Sequence, residues 1–337
     1  MSKSSPGTRE FRRQAEKTAR QGRSIQREID RKTSRKRKSD TKRRAMQAGT
    51  RTYPKPKLPG QHLQKPGRES DLKLPPMYEA PGYRGSDKLR DMVALITGGD
   101  SGIGRAVAVL FAREGADVAI THLPEEESDA QETKTAVERE GRRALIISGD
   151  LTAEEFARKA VEKTINNFDQ LDILVNNAAY QQGQDSLDDL TDELWDRTFK
   201  TNIYAYFRMT KAALPHLKKG SAIINTGSIT GLEGNKNLLD YSATKGAIHA
   251  FTKSLAQNLV EKGIRVNCVS PGPVWTPLNP SDKPAKEVAE FGDDTPMKRP
   301  AQPEEIAPAF VYFASEADSS YVTGEVLTLL GGETTAG

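Results

Sequence analysis

The chain has 337 residues, 36% of them apolar, and a formal net charge of +4. This is enough for one sizeable core, so we expect a single domain of about 250 residues with additional sequence. A single cysteine, Cys268, excludes an intramolecular disulfide, the four histidines lack metal-ligand spacing, and no apolar run approaches a membrane span. Since residues 1–14 lack a secretory pattern, we expect a cytoplasmic protein that uses neither metal nor membrane.

Charge is unevenly distributed along the chain. Residues 1–52 contain 18 Lys/Arg against 5 Asp/Glu, whereas the remainder contains 32 against 41. The first segment has almost no apolar residues, which predicts a disordered or partly helical basic arm. Its densest part, residues 31–44, is either a tract for non-specific nucleic-acid binding or a tail, solvated or docked on the acidic body. Residues 53–88 are rich in Pro and Gly, which predicts an extended connector without regular elements.

Short apolar segments alternate with helical patterns over the remaining residues, 89–337. The first strand is expected at "MVALIT", and six more follow, each separated from the next by a helical segment. The longest helix is expected at residues 192–218. Strict alternation with all-apolar strands predicts a Rossmann-like doubly wound α/β fold, with about seven parallel strands and helices on both faces. Such sheets bind ligands beyond the carboxyl ends of their strands.

Three of these strand ends carry residues suited to a nucleotide. The turn "TGGDSGIG" joins the first strand to a helix, where glycines admit a pyrophosphate and the helix start offers free N–H groups. This context favours nucleotide binding over a plain tight turn. Asp150 ends the third strand and either accepts from an adenine or caps the next helix. After the fourth strand, "NNAA" leaves room for a flat ring, although Asn176 is equally suited to bracing neighbouring loops.

The segment "DYSATKG" places Tyr241 and Lys245 one helical turn apart. With the glycine turn and "NNAA", it resembles the short-chain dehydrogenase/reductase family over about residues 88–337. In that family such a pair acts with a serine 13 residues earlier and an asparagine on the helix after the fourth strand, which match Ser228 and Asn202. The Pro/Gly-rich connector and "HLPEEESDAQET" narrow the resemblance to an N-terminally extended subgroup, often described as glucose/ribitol-dehydrogenase-like or general-stress oxidoreductases.

The resemblance implies an NAD(P)-dependent oxidoreductase that interconverts a carbonyl compound and an alcohol, and that assembles as a homotetramer. It assigns catalysis to Asn202, Ser228, Tyr241 and Lys245. Candidate substrate contacts are Gln181, Ser228 and Tyr241. The residues expected to contact the cofactor are Thr97, Gly98, Ser101, Gly102, Ile103, Gly104, Asp150, Leu151, Asn177, Ala178, Ala179, Tyr241, Lys245, Pro271, Gly272, Val274 and Thr276.

The residue types fit this chemistry. Carbonyl reduction needs a hydride at carbon and a proton at oxygen, and Tyr241 can supply the proton. A free phenol titrates near 10, so an acid/base matched to neutral pH needs about 4 kcal/mol of preference for phenolate. We expect the Lys245 ammonium, with an oxidised nicotinamide, to supply it. Ser228 would hydrogen-bond the substrate oxygen, and the resemblance gives Asn202 a water that links Lys245 to solvent.

The second strand bears on the choice between NAD and NADP. An acidic residue at its end is usual in NAD enzymes, and a basic residue there or nearby is usual in NADP enzymes. Here the position holds His122. Thr121 or His122 could donate to a 2′-phosphate, whereas residues 125–127, all Glu, would repel it if they lay close. Because no carboxylate stands at His122, the sequence favours NADP over NAD.

Other features leave alternatives open. The loop at residues 275–296 is either a lid or a surface excursion used in assembly. Expected subunit contacts are the C-terminal "YVTGEVLTLLGG" and the apolar side chains Tyr204, Tyr206 and Phe207. Two other functions are a cofactor-binding regulator without catalysis, which the intact catalytic residues disfavour, and nucleic-acid association through the basic arm.

Overall fold

A computed structural model describes residues 45–335, together with positions 17, 20, 23, 24, 27, 28 and 31. Those seven positions are helical and belong to a unit, Met1–Arg44, that is distinct from the unit Ala45–Gly337. Apart from Arg31, the basic tract at residues 31–44 lies outside the described residues. The sheet and the pocket both belong to the second unit.

Within residues 45–335, seven parallel strands form one sheet in the order β3-β2-β1-β4-β5-β6-β7. The strands are β1 (Val93–Thr97), β2 (Asp117–His122), β3 (Ala144–Ser148), β4 (Ile173–Asn176), β5 (Ala222–Thr226), β6 (Arg265–Pro271) and β7 (Val326–Leu329). The predicted Rossmann-like doubly wound fold is confirmed. The strand order changes direction between β1 and β4, so a crevice is expected beyond their carboxyl ends.

Helices cover both faces of this sheet. They are α1 (Gly102–Arg113), α2 (Glu127–Arg139), α3 (Phe156–Phe168), α4 (Asp192–Phe199), α5 (Ala205–Ala213), α6 (Thr230–Glu233), α7 (Leu239–Leu259), α8 (Ala285–Ala289), α9 (Pro303–Ala314) and α10 (Glu316–Ser319). Helices α1 and α9 bury Phe111 and Phe310 against one face. Helices α3, α5 and α7 bury Phe168, Met209 and Leu259 against the other. Because both faces are covered, β1, β2, β4, β5 and β6 are buried along their whole length and are mostly apolar.

The helix expected at residues 192–218 is interrupted and shorter. A π-helical turn, Lys200–Tyr204, separates α4 from α5, and α5 ends at Ala213. Pro215 follows, and its missing N–H cannot continue the helical hydrogen-bond pattern. The π-helical turn contains Asn202, and such turns occur frequently at functional sites.

Residues 53–88 differ from the expected connector because they pack on the body. A short 3₁₀ helix, Glu69–Asp71, interrupts their largely irregular path. Leu58, Leu63 and Leu72 are buried in one cluster with Trp275 and Val288 of the loop after β6. The segment and the loop after β6 therefore share a small hydrophobic core that is separate from the clusters on the sheet.

Hydrogen bonds fasten the same segment to the loop at residues 275–296. The backbone N–H of Leu63 donates to the Pro280 carbonyl at 2.8 Å, and the N–H of Leu58 donates to the Ala289 carbonyl at 2.9 Å. The indole of Trp275 donates to a carbonyl of the segment at 2.9 Å. The loop is thus anchored along the N-terminal segment, which neither interpretation of its sequence included.

Glu69 joins the N-terminal segment to the start of α1. Its buried carboxylate accepts from the backbone N–H of Gly102 at 2.7 Å and pairs with Arg105 at 2.7 Å. Arg105, also buried, donates in addition to the carbonyls of Asp100 and Asp129. Burial raises the pKa of Glu69 to about 7, which the neighbouring Arg105 opposes. The carboxylate satisfies one of the free N–H groups at the helix start.

We expect Leu72→Ala to lower the free energy of unfolding by about 2–5 kcal/mol, because it empties part of the cluster around Trp275. Urea denaturation measures this change. Leu187→Ala is the matched control, since that side chain is 71% exposed and should contribute less than about 0.5 kcal/mol. Equal stability of the two variants would contradict a packed N-terminal segment.

Candidate active site

A pocket of about 960 Å³ lies at the carboxyl edge of the sheet. It is lined by the turns that follow β1 to β6 and by Lys65, Pro66 and Gly67 of the N-terminal segment. This volume is at the upper end of the range for small-molecule sites, and the switch point of a doubly wound sheet is where ligands bind.

Most of the predicted site residues line this pocket. They are Gly98, Ser101, Gly102, Ile103, Asp150, Leu151, Asn177, Ala178, Ala179, Gln181, Ser228, Tyr241, Lys245, Pro271, Gly272, Val274 and Thr276. Three others, Thr97, Gly104 and Asn202, are not among the lining residues. Their contacts show that they support the wall of the pocket.

Thr97 and Gly104 hold the glycine turn against the loop after β4. The Thr97 hydroxyl accepts from the backbone N–H groups of Asn177 at 2.8 Å and Ala178 at 3.1 Å. The Asn177 amide donates to the Gly98 carbonyl at 3.0 Å. A Cβ on Gly104 would lie 2.0 Å from that carbonyl oxygen. These residues position the turn, and their predicted contact with the cofactor stays a prediction.

The sequence leaves two roles open for Asp150, an adenine contact or a helix cap, and two for Asn176, a ligand contact or a brace between neighbouring loops. The Asp150 carboxylate accepts from the N–H of Thr152 at 2.8 Å, in a turn that ends before α3 begins at Phe156. Asp150 is therefore a turn residue on the pocket wall and not the cap of that helix. Asn176 is buried and donates to the Asn225 side chain at 2.9 Å, so it braces neighbouring strands.

Lys245 is a buried cation beside Tyr241 on α7. Its Nζ donates to the Thr226 carbonyl at 2.8 Å and lies 5.3 Å from the centre of the Tyr241 ring. The ring of Tyr206, also buried, lies 5.8 Å from the same nitrogen. Burial lowers the pKa of Lys245 to about 8, which leaves the ammonium charged in most molecules at neutral pH.

Tyr241 is held as a neutral phenol by its surroundings. Burial raises its pKa to about 12, while a hydrogen bond with Ser228 lowers it. The expectation that Lys245 and an oxidised nicotinamide together bring this pKa toward 7 stays a prediction, and the protein's own groups act in the opposite direction, because burial penalises the phenolate. The Ser228 hydroxyl also accepts from the N–H of Thr230 at 3.2 Å, which fixes it at the pocket wall.

Asn202 fastens the loop after β4 to α7. Its side-chain oxygen accepts from the Tyr180 N–H at 2.8 Å, and its amide donates to the Tyr180 carbonyl and the Thr244 hydroxyl, both at 3.0 Å. Both amide hydrogens are thereby used. Asn202 therefore positions the Tyr180 loop, and its expected part in holding a water beside Lys245 stays a prediction.

The end of β2 fits a nucleotide. The Thr121 hydroxyl is buried, lies on the pocket wall and has no hydrogen-bond partner in residues 45–335. The Nδ1 of His122 lies 2.9 Å from the Leu123 carbonyl, which occupies that ring nitrogen. Burial and the nearby Asp100 raise the pKa of Glu126 to about 8, so most of this carboxyl is uncharged at neutral pH. A dinucleotide needs a free donor at this strand end, which the Thr121 hydroxyl offers, and a glycine turn that lets the backbone approach its pyrophosphate.

Residues 98–334 match a family model described as Enoyl-(Acyl carrier protein) reductase. The chain belongs to the short-chain dehydrogenase/reductase family. General stress protein 39 of Bacillus subtilis is 56% identical over 281 residues, which cover 83% of this chain and 97% of that protein. The NADPH-dependent aldehyde reductase 1, chloroplastic, of Arabidopsis thaliana is 48% identical over 277 residues, 81% of this chain and 96% of that protein. The crystal structure of a short chain dehydrogenase from Burkholderia cenocepacia in complex with NADP has 34% identity and a TM-score of 0.68, covering 73% of this chain and 98% of that one.

As a short-chain dehydrogenase/reductase, the protein is an NAD(P)-dependent oxidoreductase, and the predicted family and enzyme class are confirmed. No helix in the described part of the chain is long and apolar enough to cross a membrane. The same residues contain no cluster of His, Cys, Asp and Glu that could hold a metal ion.

Sequence reasoning missed the N-terminal lining of the short-chain dehydrogenase/reductase pocket. Lys65, Pro66 and Gly67 lie more than 100 residues before the Ser228 and Tyr241 motifs, so no local spacing connects them to the site. Their one sequence signal is the Pro-Gly pair itself, which also suits an ordinary linker.

We expect Gly104→Ala to weaken NADPH binding at least about tenfold, because the added methyl would displace the Gly98 carbonyl and with it the turn that faces the dinucleotide. Quenching or enhancement of NADPH fluorescence measures the Kd, and urea denaturation shows whether the variant is folded. Gly82→Ala is the control, since a Cβ there meets nothing within 4 Å. Unchanged affinity in a folded Gly104→Ala variant would contradict this packing role.

Proposed function

We propose that this protein reduces an aldehyde, ketone or sugar carbonyl to the alcohol with NADPH, and that Tyr241 donates the proton. The observation that supports this best is a buried phenol at the pocket wall, hydrogen-bonded with Ser228 and next to the Lys245 ammonium. A bound reduced nicotinamide supplies the hydride. The Arabidopsis thaliana relative is named as an aldehyde reductase, which supports the same class of substrate.

Each side chain has a separate task in the proposed reduction. The high pKa of Tyr241 keeps its proton on the phenol until negative charge develops on the carbonyl oxygen. Ser228 donates its hydroxyl hydrogen to that oxygen as the charge appears. The phenolate left by proton transfer is stabilised by Lys245, whose ammonium is held in place through the Thr226 carbonyl. In the reverse direction, the same phenolate takes the proton from the alcohol.

The choice of NADPH rests on the residues at the end of β2. The free Thr121 hydroxyl can donate to a 2′-phosphate. Repulsion of a 2′-phosphate by residues 125–127 is weakened, because burial and the nearby Asp100 raise the pKa of Glu126. The Burkholderia cenocepacia structure, described as a complex with NADP, supports this preference.

The test is Tyr241→Phe, assayed with a panel of aldehydes, ketones and sugars and with NADPH or NADH. We expect kcat to fall by about 10²–10⁴, the range for losing a general acid, while the Kd of NADPH stays within a factor of about two. Tyr312→Phe is the control, since that ring is 38% exposed and does not line the pocket. Turnover like that of the unaltered protein in Tyr241→Phe would rule out this role.

We also propose that the protein assembles as a homotetramer through the π-helical turn and α5. Tyr204 and Phe207 there are 47% and 50% exposed, and each ring lies beneath a cationic side chain of the same helix, Arg208 and Lys211. Tyr206, expected to share this surface, is buried in the core instead. Exposed aromatic rings of this size are typical of protein contacts.

Light scattering at micromolar concentration should give about four times the chain mass of 37.0 kDa. Phe207→Glu should shift the protein to smaller particles, because it places a charge in the contact. Lys262→Glu, on a turn far along the sequence from α5, should leave the mass unchanged. A particle of 37.0 kDa for the unaltered protein would refute the assembly.

A further inference from the structure

Two cations at the pocket have no part in the proposed proton transfer. Lys65 comes from the N-terminal segment and Arg197 from α4, and both line the pocket with Ser228 and Tyr241. They flank one ring, that of Tyr180. The Lys65 Nζ lies 5.0 Å from its centre, and the Arg197 Cζ lies 5.3 Å from it.

Neither cation is neutralised by a carboxylate. Within residues 45–335, no carboxylate oxygen lies within 4.0 Å of either side chain, whereas Arg105, Arg113 and Arg299 each pair with a glutamate. Asp282 is the acidic group that acts on Lys65, but its two oxygens accept from the Gln181 side chain and the Gly183 N–H, both at 2.6 Å. Asp240 is the other acidic group that acts at the Tyr180 ring, and it accepts from the buried Thr198 hydroxyl. Both carboxylates are thus held by other donors, so the N–H groups of the two cations stay available to a ligand.

Lys65 is fixed in position and still has donors to offer. Its Nζ gives one hydrogen to the Gln181 carbonyl at 2.7 Å, which leaves two of the three ammonium hydrogens. The neighbouring Gly67 is buried and closely packed, since a Cβ there would lie 2.8 Å from Ser281. Burial lowers the pKa of Lys65, so an anion beside it would be stabilising.

We propose that Lys65 and Arg197 form an anion-binding subsite, so that the preferred substrates are carbonyl compounds bearing a carboxylate or phosphate group. The inference rests on the proposed carbonyl reduction and specifies its substrate class. A guanidinium binds either anion through a planar pair of N–H groups, and an ammonium adds a point charge. Lys65 thereby gives the N-terminal segment a direct role in choosing the substrate.

Three acidic residues of the pocket act on one another and not on Lys65. Glu233, Asp294 and Glu333 all line the pocket, and the first two raise the pKa of the third. By contrast, the charges that act on Lys65 are Asp282 and Arg197. The carboxylate group of three therefore does not serve as the counter-ion of the Lys65 subsite.

The kinetic test compares 4-oxobutanoate with its methyl ester, which has the same aldehyde and no charge. Two further pairs, pyruvate with methyl pyruvate and glyceraldehyde 3-phosphate with glyceraldehyde, make the same comparison. They vary the type of anion and its distance from the carbonyl group. We expect kcat/KM for at least one anion to exceed that of its neutral counterpart by about tenfold or more, mainly through KM. Lys65→Gln and Arg197→Gln should each remove most of this preference and leave the neutral compounds within about twofold. Lys73→Gln, an exposed lysine of the same segment, should change neither.

The outcomes separate the subsite from the proposed reaction. Equal kcat/KM for every charged and neutral pair, with good turnover, would overturn the subsite and leave carbonyl reduction standing. Equal losses on both members of a pair in Lys65→Gln would show a structural role alone and would also overturn it.

A binding measurement decides the subsite without turnover. Succinate, an unreactive anion, should bind the full-length protein saturated with NADP in a calorimetric titration, and Lys65→Gln should weaken this binding about tenfold. Absence of succinate binding to the unaltered protein would overturn the subsite. Binding of succinate without reduction of any carbonyl compound would refute the proposed reaction and support the subsite.

Discussion

The buried ammonium of Lys245 sets the arrangement around it. A charge removed from water costs free energy unless fixed dipoles replace its hydration. Here the Thr226 carbonyl at the end of β5 accepts one hydrogen, and the rings of Tyr206 and Tyr241 lie close by. This explains why Tyr206 belongs to the core although its neighbours Tyr204 and Phe207 are exposed. The contacts of this one cation therefore join α5, α7 and β5.

The motifs that could be predicted from the sequence are local ones. Each of these patterns, the apolar strands, the helical periodicity and the glycine turn, spans only a few adjacent residues. The fold and much of the pocket wall could therefore be predicted from them. The four catalytic candidates follow from the resemblance to the short-chain dehydrogenase/reductase family, and their roles stay predictions. Three, Ser228, Tyr241 and Lys245, line the pocket, whereas Asn202 supports it from behind.

What could not be predicted depends on contacts between distant residues or on burial. Leu58 and Leu63 stand among prolines and charges, and their partner Trp275 is about 200 residues away, so no periodicity reveals the cluster. The pKa of Tyr241 depends on how completely the fold covers the ring, and spacing from Lys245 carries no such information. The π-helical turn around Asn202 likewise adds a residue to a pattern that reads as one continuous helix.

The contact between Glu69 and Gly102 makes the N-terminal segment a tethered ligand of the nucleotide-binding turn. Coupling between two binding events is reciprocal. If the docked segment raises the affinity for the cofactor, bound cofactor strengthens the docking of the segment by the same factor. The peptide connection gives this ligand a high effective concentration, and the contact needs little intrinsic affinity to persist. A chain cut between residues 75 and 88 would lose that advantage. The freed peptide would then have to bind as a separate molecule, and the affinity of the enzyme for its cofactor would depend on the concentration of the peptide.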